Sequence, residues 1–145
     1  MATDRRAEVV WEGSLMEGSG TVTKTGSGAL PELPVTWASR TESPDGKTSP
    51  EELIAAAHAS CFSMALSHAL AQAGNPPERL ETSATVTFVP GTGITRSALT
   101  VTGRVPGLDE QAFREAAEGA KEGCPVSGAL KGNVELSVDA RLAGA

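Results

Sequence analysis

Ser49-Pro50-Glu51-Glu52-Leu53-Ile54-Ala55-Ala56-Ala57-His58-Ala59-Ser60-Cys61-Phe62-Ser63-Met64-Ala65-Leu66 is the stretch that decides the fold. Serine as N-cap, proline at the first helical position and glutamate at the third are the chemistry of a helix start. The pattern predicts a helix to about Ala73, where Gly74-Asn75-Pro76-Pro77 stops it, roughly 36 Å long at 1.5 Å per residue. From Leu53 to Ala71 its residues are apolar or small almost all round, with only serine, histidine and glutamine interspersed. Such a helix is buried on every side. A chain of 145 residues has difficulty surrounding it alone, whereas alanine and serine let a second helix approach closely. The expectation is a homodimer with this helix in its core.

Outward from the helix, Ala7 to Trp11, Gly20 to Lys24 and Leu33 to Trp37 read as three short strands of a meander. Thr41 to Ser49 is turn chemistry throughout. After the helix, Ala84, Val86 and Phe88 alternate with Ser83, Thr85 and Thr87, and Leu99, Val101 and Val105 follow a glycine-rich turn, which makes a hairpin. Leu108, Ala112, Phe113, Ala116, Ala117 and Ala120 then recur at helical spacing, with Asp109 as N-cap and Gly123 as the stop. Cys124-Pro125 opens a short helix to about Leu130, and Val134, Leu136, Val138, Ala140 and Leu142 alternate in a last strand. The fold class is α+β, a single domain over residues 1–145 without repeats or linkers.

Composition narrows the function. Apolar residues make up 39% and charged residues 21% of the chain, a globular balance, and every long apolar run is interrupted by polar residues. The net charge of −6 comes without a lysine/arginine cluster, which argues against nucleic acid or anionic membranes as partners and favours a neutral small molecule. Arg5-Arg6 leads straight into an alternating pattern with no secretory core, so the cytoplasm is the expected compartment.

Two cysteines in such a chain read as redox chemistry or metal before structural stapling. Cys124 precedes a proline at a helix start, where free amides lower a thiol pKa. Cys61 lies about three turns into an apolar helix, where burial raises it. A reactive Cys61 therefore needs a cation from elsewhere, and Arg40, between the third strand and the loop leading back to the helix, is the candidate. Glu52 serves as capping partner, leaving Glu51 spare. Glu51 is ten residues, about 15 Å, from Cys61 along the helix axis, so the dimer must build any site they share. His58 shares a helix face with Cys61, but the match to zinc spacing is poor, and it reads as a satisfied interface residue.

The helix motif, together with Gly123-Cys124-Pro125-Val126-Ser127, resembles the OsmC/Ohr family, the osmotically inducible protein C and organic hydroperoxide resistance proteins. The opening Val9-Val10-Trp11-Glu12-Gly13 and Val105-Pro106-Gly107-Leu108 fall in the family's order, and the Ser39-Arg40 segment is similar to its OsmC branch. The resemblance implies an intertwined homodimer with antiparallel sheets wrapped around two central long helices and active sites at the interface. It implies a thiol peroxidase that reduces organic hydroperoxides, and hydrogen peroxide more weakly, in stress defence. By position Cys61 resembles the peroxidatic cysteine, Cys124 the resolving cysteine, Arg40 the family's arginine and Glu51 its acidic residue. No metal, haem or flavin is implied. The electrons would come from an external dithiol such as dihydrolipoamide or a lipoylated protein. Phe62 and Met64 are the apolar neighbours that could favour a hydrophobic peroxide. The same residues also allow a non-catalytic dimeric protein holding an apolar ligand, or a disulfide redox sensor.

Overall fold

The computed structural model describes residues 2–143. Its elements are β1 (Ala7–Glu12), β2 (Ser19–Thr25), β3 (Leu33–Val35), α1 (Trp37–Thr41), α2 (Pro50–Gln72), β4 (Arg79–Val89), β5 (Gly93–Arg104), α3 (Glu110–Gly123), α4 (Pro125–Leu130) and β6 (Glu135–Leu142). They fall into two units, Met1–Leu53 and Ile54–Ala145.

In the first unit β1, β2 and β3 form an antiparallel sheet in chain order. Gly20 faces Trp11 across the ladder, and a Cβ there would meet the indole at 2.6 Å, so only glycine lets the ring lie on the strand. The third strand is shorter than its apolar run suggests, ending at Val35. Thr36 Oγ1 accepts the Ser39 amide at 3.0 Å while Ser39 Oγ accepts the Thr36 amide at 3.0 Å. This reciprocal cap turns Trp37–Thr41 into a single helical turn. Trp37 and Arg40 therefore sit on a helix and not at the end of a strand. Ser39 Oγ also donates to the Thr48 carbonyl at 2.9 Å, and the Thr48 amide donates to the Pro34 carbonyl at 2.9 Å. The turn-rich loop is thereby pinned beside α1.

The start of α2 departs from a full capping box. Ser49 Oγ accepts the Glu52 amide at 3.2 Å, but the Glu52 carboxylate takes the Thr48 hydroxyl at 2.7 Å. The helix is long and apolar enough to cross a bilayer by length and composition, with a mean hydropathy of 1.4. Instead, His58, Phe62, Leu66 and Leu70, spaced by four, form a stripe buried inside the second unit. Burying each of the three apolar members contributes about 1.5–3 kcal/mol. The opposite face, carrying Ala57, Ser60, Met64 and His68, is exposed, so within one chain the helix is buried on one side only.

In the second unit β4 and β5 form the expected hairpin, with Ala84 opposite Leu99. β6 joins β5 in parallel, pairing Leu99 with Val138 and Val101 with Ala140. The second sheet is thus mixed, not antiparallel, because α3 and α4 carry the chain back before the last strand begins. Ser97, Leu99, Val101 and Gly103 alternate on the buried face of β5, while Thr100, Thr102 and Arg104 face outward. Leu99 and Val101 pack with the α2 stripe and with Phe113, Ala117 and Ala120 of α3 into one core that includes Cys124. Asp109 Oδ1 caps α3 by accepting the Ala112 amide at 2.8 Å.

Candidate active site

The chemistry-bearing residues form two clusters, one in each unit. In the first, α1 and the first turn of α2 bring Arg40 and Glu51 together. Arg40 Nη2 donates to Glu51 Oε2 at 2.8 Å, and Nε donates to Oε1 at 3.0 Å and Oε2 at 3.1 Å. This two-pronged grip orients the guanidinium as well as holding it. Glu51 is buried at 6% exposure while the Arg40 side chain keeps 27% of its surface open, so the carboxylate anchors and the guanidinium faces outward. The Trp37 ring lies under the Arg40 guanidinium at 5.8 Å, within cation–π range. Beside them lies an apolar groove of about 290 Å³, walled by Trp11, Leu15, Val35, Trp37, Pro50 and Leu53, with Arg40 as its charged member.

The second cluster sits where α2 meets the start of α4. Cys61 and Cys124 are both free thiols, Cys124 inside the buried core and Cys61 packed against that core. Burial first, then the contact with Cys124, pushes the Cys61 thiol above the usual cysteine range. Burial also pushes Cys124 upward, but it is outweighed by the hydrogen bond from Cys61 and by the Ser127 amide, the Ser127 hydroxyl and the Val126 amide, so Cys124 is held below its usual value. Cys124 closes α3 and opens α4 at once: its amide donates to the Ala120 carbonyl at 2.9 Å, and its carbonyl accepts the Gly128 amide at 3.0 Å. Its extended backbone, φ −68° and ψ 128°, is what a residue before proline adopts.

His58, one helical turn before Cys61, is fully buried. Its Nδ1 is 2.6 Å from Ser97 Oγ on β5, and its Nε2 is 2.8 Å from Ser127 Oγ on α4. Burial lowers its pKa, which favours the neutral ring. It is satisfied, but inside its own unit and not at an exposed face. Sequence reasoning missed both serines. Ser127, three residues after Cys124 as His58 is three before Cys61, carried a readable signal; Ser97 carried none beyond its place in an alternating strand. The two apolar neighbours part company: Phe62 is in the core, while Met64 is 72% exposed. Among the described residues no group of histidine, cysteine, aspartate and glutamate could hold a metal ion.

Comparison with known proteins agrees over most of the chain. The OsmC-like protein family model matches residues 43–139. The chain is 43% identical over 139 residues to peroxiredoxin OsmC of Escherichia coli (strain K12), covering 94% of this chain and 96% of that protein. Among solved structures, the organic hydroperoxide resistance protein OhrB of Bacillus subtilis superposes with a TM-score of 0.68 at 25% identity, covering 94% of this chain and 98% of that one. An organic hydroperoxide resistance protein from Elizabethkingia anophelis, at 23% identity, shares the fold with a TM-score of 0.70, covering 99% of this chain and 100% of its own.

Proposed function

The chain belongs to the OsmC-like protein family and is a peroxiredoxin-type hydroperoxide reductase, and on that premise we propose that organic hydroperoxides are its preferred substrates and that Cys61 is the sulfur they oxidise. The observation that carries this reading is the pair of free thiols brought to one core, Cys61 on α2 and Cys124 at the head of α4. Such a pair can take up two electrons' worth of oxidation and return as a disulfide without metal, haem or flavin.

Because burial and the Cys124 contact disfavour the Cys61 anion, activation calls for a cation. Arg40, oriented by Glu51, is suited to that role and to hydrogen-bonding the peroxide oxygens, and a homodimer is the assembly in which these groups meet. The Cys61 sulfur attacks the distal peroxide oxygen, the O–O bond breaks, an alcohol leaves and Cys61 becomes a sulfenic acid. Cys124 then attacks that sulfur to give the disulfide and water, and an external dithiol, dihydrolipoamide or a lipoylated protein, restores both thiols by exchange. The apolar groove beside Arg40 supports an alkyl-bearing substrate over hydrogen peroxide. The expected compartment is the cytoplasm.

The test is steady-state consumption of cumene hydroperoxide with dihydrolipoamide, beside hydrogen peroxide and a Cys61→Ser variant. Turnover faster with the organic peroxide and lost in the variant is the expected result. No turnover by the reduced wild type would sink the reading and leave a ligand-binding or redox-sensing protein.

A further inference from the structure

The peroxidase chemistry uses neither His58 nor the two serines that hold it, yet all three are buried, and their hydrogen bonds link β5 through α2 to α4. A buried histidine whose ring nitrogens both meet hydroxyls is a costly thing to keep in a core where an apolar residue would pack. Ser127 also stands three residues after Cys124, in the first turn of the helix that Cys124 caps, and its hydroxyl is among the groups that hold the Cys124 thiol below its usual value.

We propose that His58, locked between Ser97 and Ser127, is a positioning residue for the second sulfur: it aims the Ser127 hydroxyl at Cys124 and so holds Cys124 ready as the nucleophile that closes the disulfide.

The direction of the hydrogen bonds follows from the acceptor at the end. A thiolate has no proton to give, so the Ser127 hydroxyl must donate to Cys124. Its oxygen then accepts from His58 Nε2–H, and Nδ1, left without a proton, accepts from the Ser97 hydroxyl. This is one neutral tautomer with both nitrogens satisfied, and neutrality is what burial imposes on the ring. Among the described residues the ring is hydrogen-bonded to Ser97 and Ser127, and the titratable groups nearest the network are Cys124, three residues before Ser127, and Cys61, one turn after His58. Among the described residues no carboxylate or guanidinium is hydrogen-bonded to His58, so the ring orients the hydroxyl and adds no charge of its own.

The step it serves balances without another reagent. Once peroxide has made the Cys61 sulfenic acid, the Cys124 thiolate attacks the Cys61 sulfur. The S–S bond forms, the S–O bond breaks, and hydroxide leaves with a solvent proton as water. Cys61 sulfur is reduced and Cys124 sulfur oxidised by one electron each.

The inference rests on the peroxidase reading for its purpose but not for its first measurement. In full-length reduced protein carrying Cys61→Ser, Cys124 is the one cysteine left, and its ultraviolet thiolate absorbance gives its titration midpoint. Ser127→Ala is expected to raise that midpoint by about one pH unit, the loss of one hydrogen bond to a charged sulfur. Ser127→Thr should restore it, and His58→Phe should raise it in the same direction. Ser97→Ala, three links from the sulfur, is a milder variant that acts through His58; a smaller upward shift is expected. In single turnover with cumene hydroperoxide, the Ser127→Ala protein with both cysteines present should form sulfenic acid at the normal rate and close the disulfide about tenfold more slowly near neutral pH. A midpoint unmoved by Ser127→Ala overturns the proposal, and one that moves there but in neither His58→Phe nor Ser97→Ala removes His58 from it. Variants that shift as expected beside a wild type that consumes no peroxide refute the peroxidase reading and leave the relay standing.

Discussion

His58 links protonation to folding, because the folded chain buries its ring as a neutral group and the unfolded chain exposes it to water. Its folded pKa lies below the unfolded value of about 6.5. As pH falls through that value, the unfolded imidazole binds a proton that the folded one refuses, so the unfolded state gains. The stability this residue confers is fully present above about pH 6.5 and is lost progressively as pH falls toward the folded pKa. Calorimetric melting from about pH 7 to about pH 5 should therefore show a falling Tm in the wild type and a flatter profile in His58→Phe; equal slopes would refute the linkage. At this scale the sequence was legible wherever a residue's role is set by its own helix. Cys124 before proline and Ser49 as the N-cap of α2 are such cases. It was not legible where the role depends on a distant strand. Ser97 meets His58 across 39 positions of chain, and no local pattern encodes that meeting.

Between elements, spacing is set by what glycine leaves empty. Gly103 on β5 lies under the Phe113 ring of α3, and a Cβ there would meet ring atoms at 2.5 and 2.7 Å. Phe113 is fully buried and has nowhere to retreat. Gly103→Ala should cost about 1–3 kcal/mol, read as a lower urea midpoint, by pushing α3 from the sheet; an unchanged midpoint would show that the helix can shift freely. Element types followed from periodicity, and most boundaries fell within a residue or two. The misreadings have physical causes. Leu33 to Trp37 looks like one apolar run, but the cap between Thr36 and Ser39 offers the backbone a better local partner than a longer strand. β6 alternates like any strand, and alternation is silent about direction; only the two helices before it decide the parallel pairing.

For the whole molecule, the exposed face of α2 is the feature that asks for company. Ala57, Ser60 and Met64 lie along it, and Met64 keeps 72% of its surface open, whereas the other face is sealed in the core. If the protein is a homodimer that covers this face, Met64→Glu places a charge where an apolar contact forms. Light scattering should then show a wild-type dimer and, in the variant, association weaker by about tenfold or more; a variant as dimeric as the wild type would move the interface elsewhere. The helix's apolar circumference was readable in sequence and already hinted at a second copy. What it could not give is which side the chain covers for itself, since that depends on the stripe of four residues that the sheet and α3 select.

Cys124 has no loop on either side of it. With its amide committed backward to Ala120 and its carbonyl forward to Gly128, the residue is a rivet joining two rods, and only the rotation about its side-chain bonds remains free. A sulfur mounted this way can swing between partners without any helix unwinding. The same mounting makes the joint intolerant of a change in length: one residue inserted between α3 and α4 would turn the second rod by about 100° relative to the first. Ser127 and the sulfur would then face different directions, so this junction is a place where the chain can change its letters but not their number.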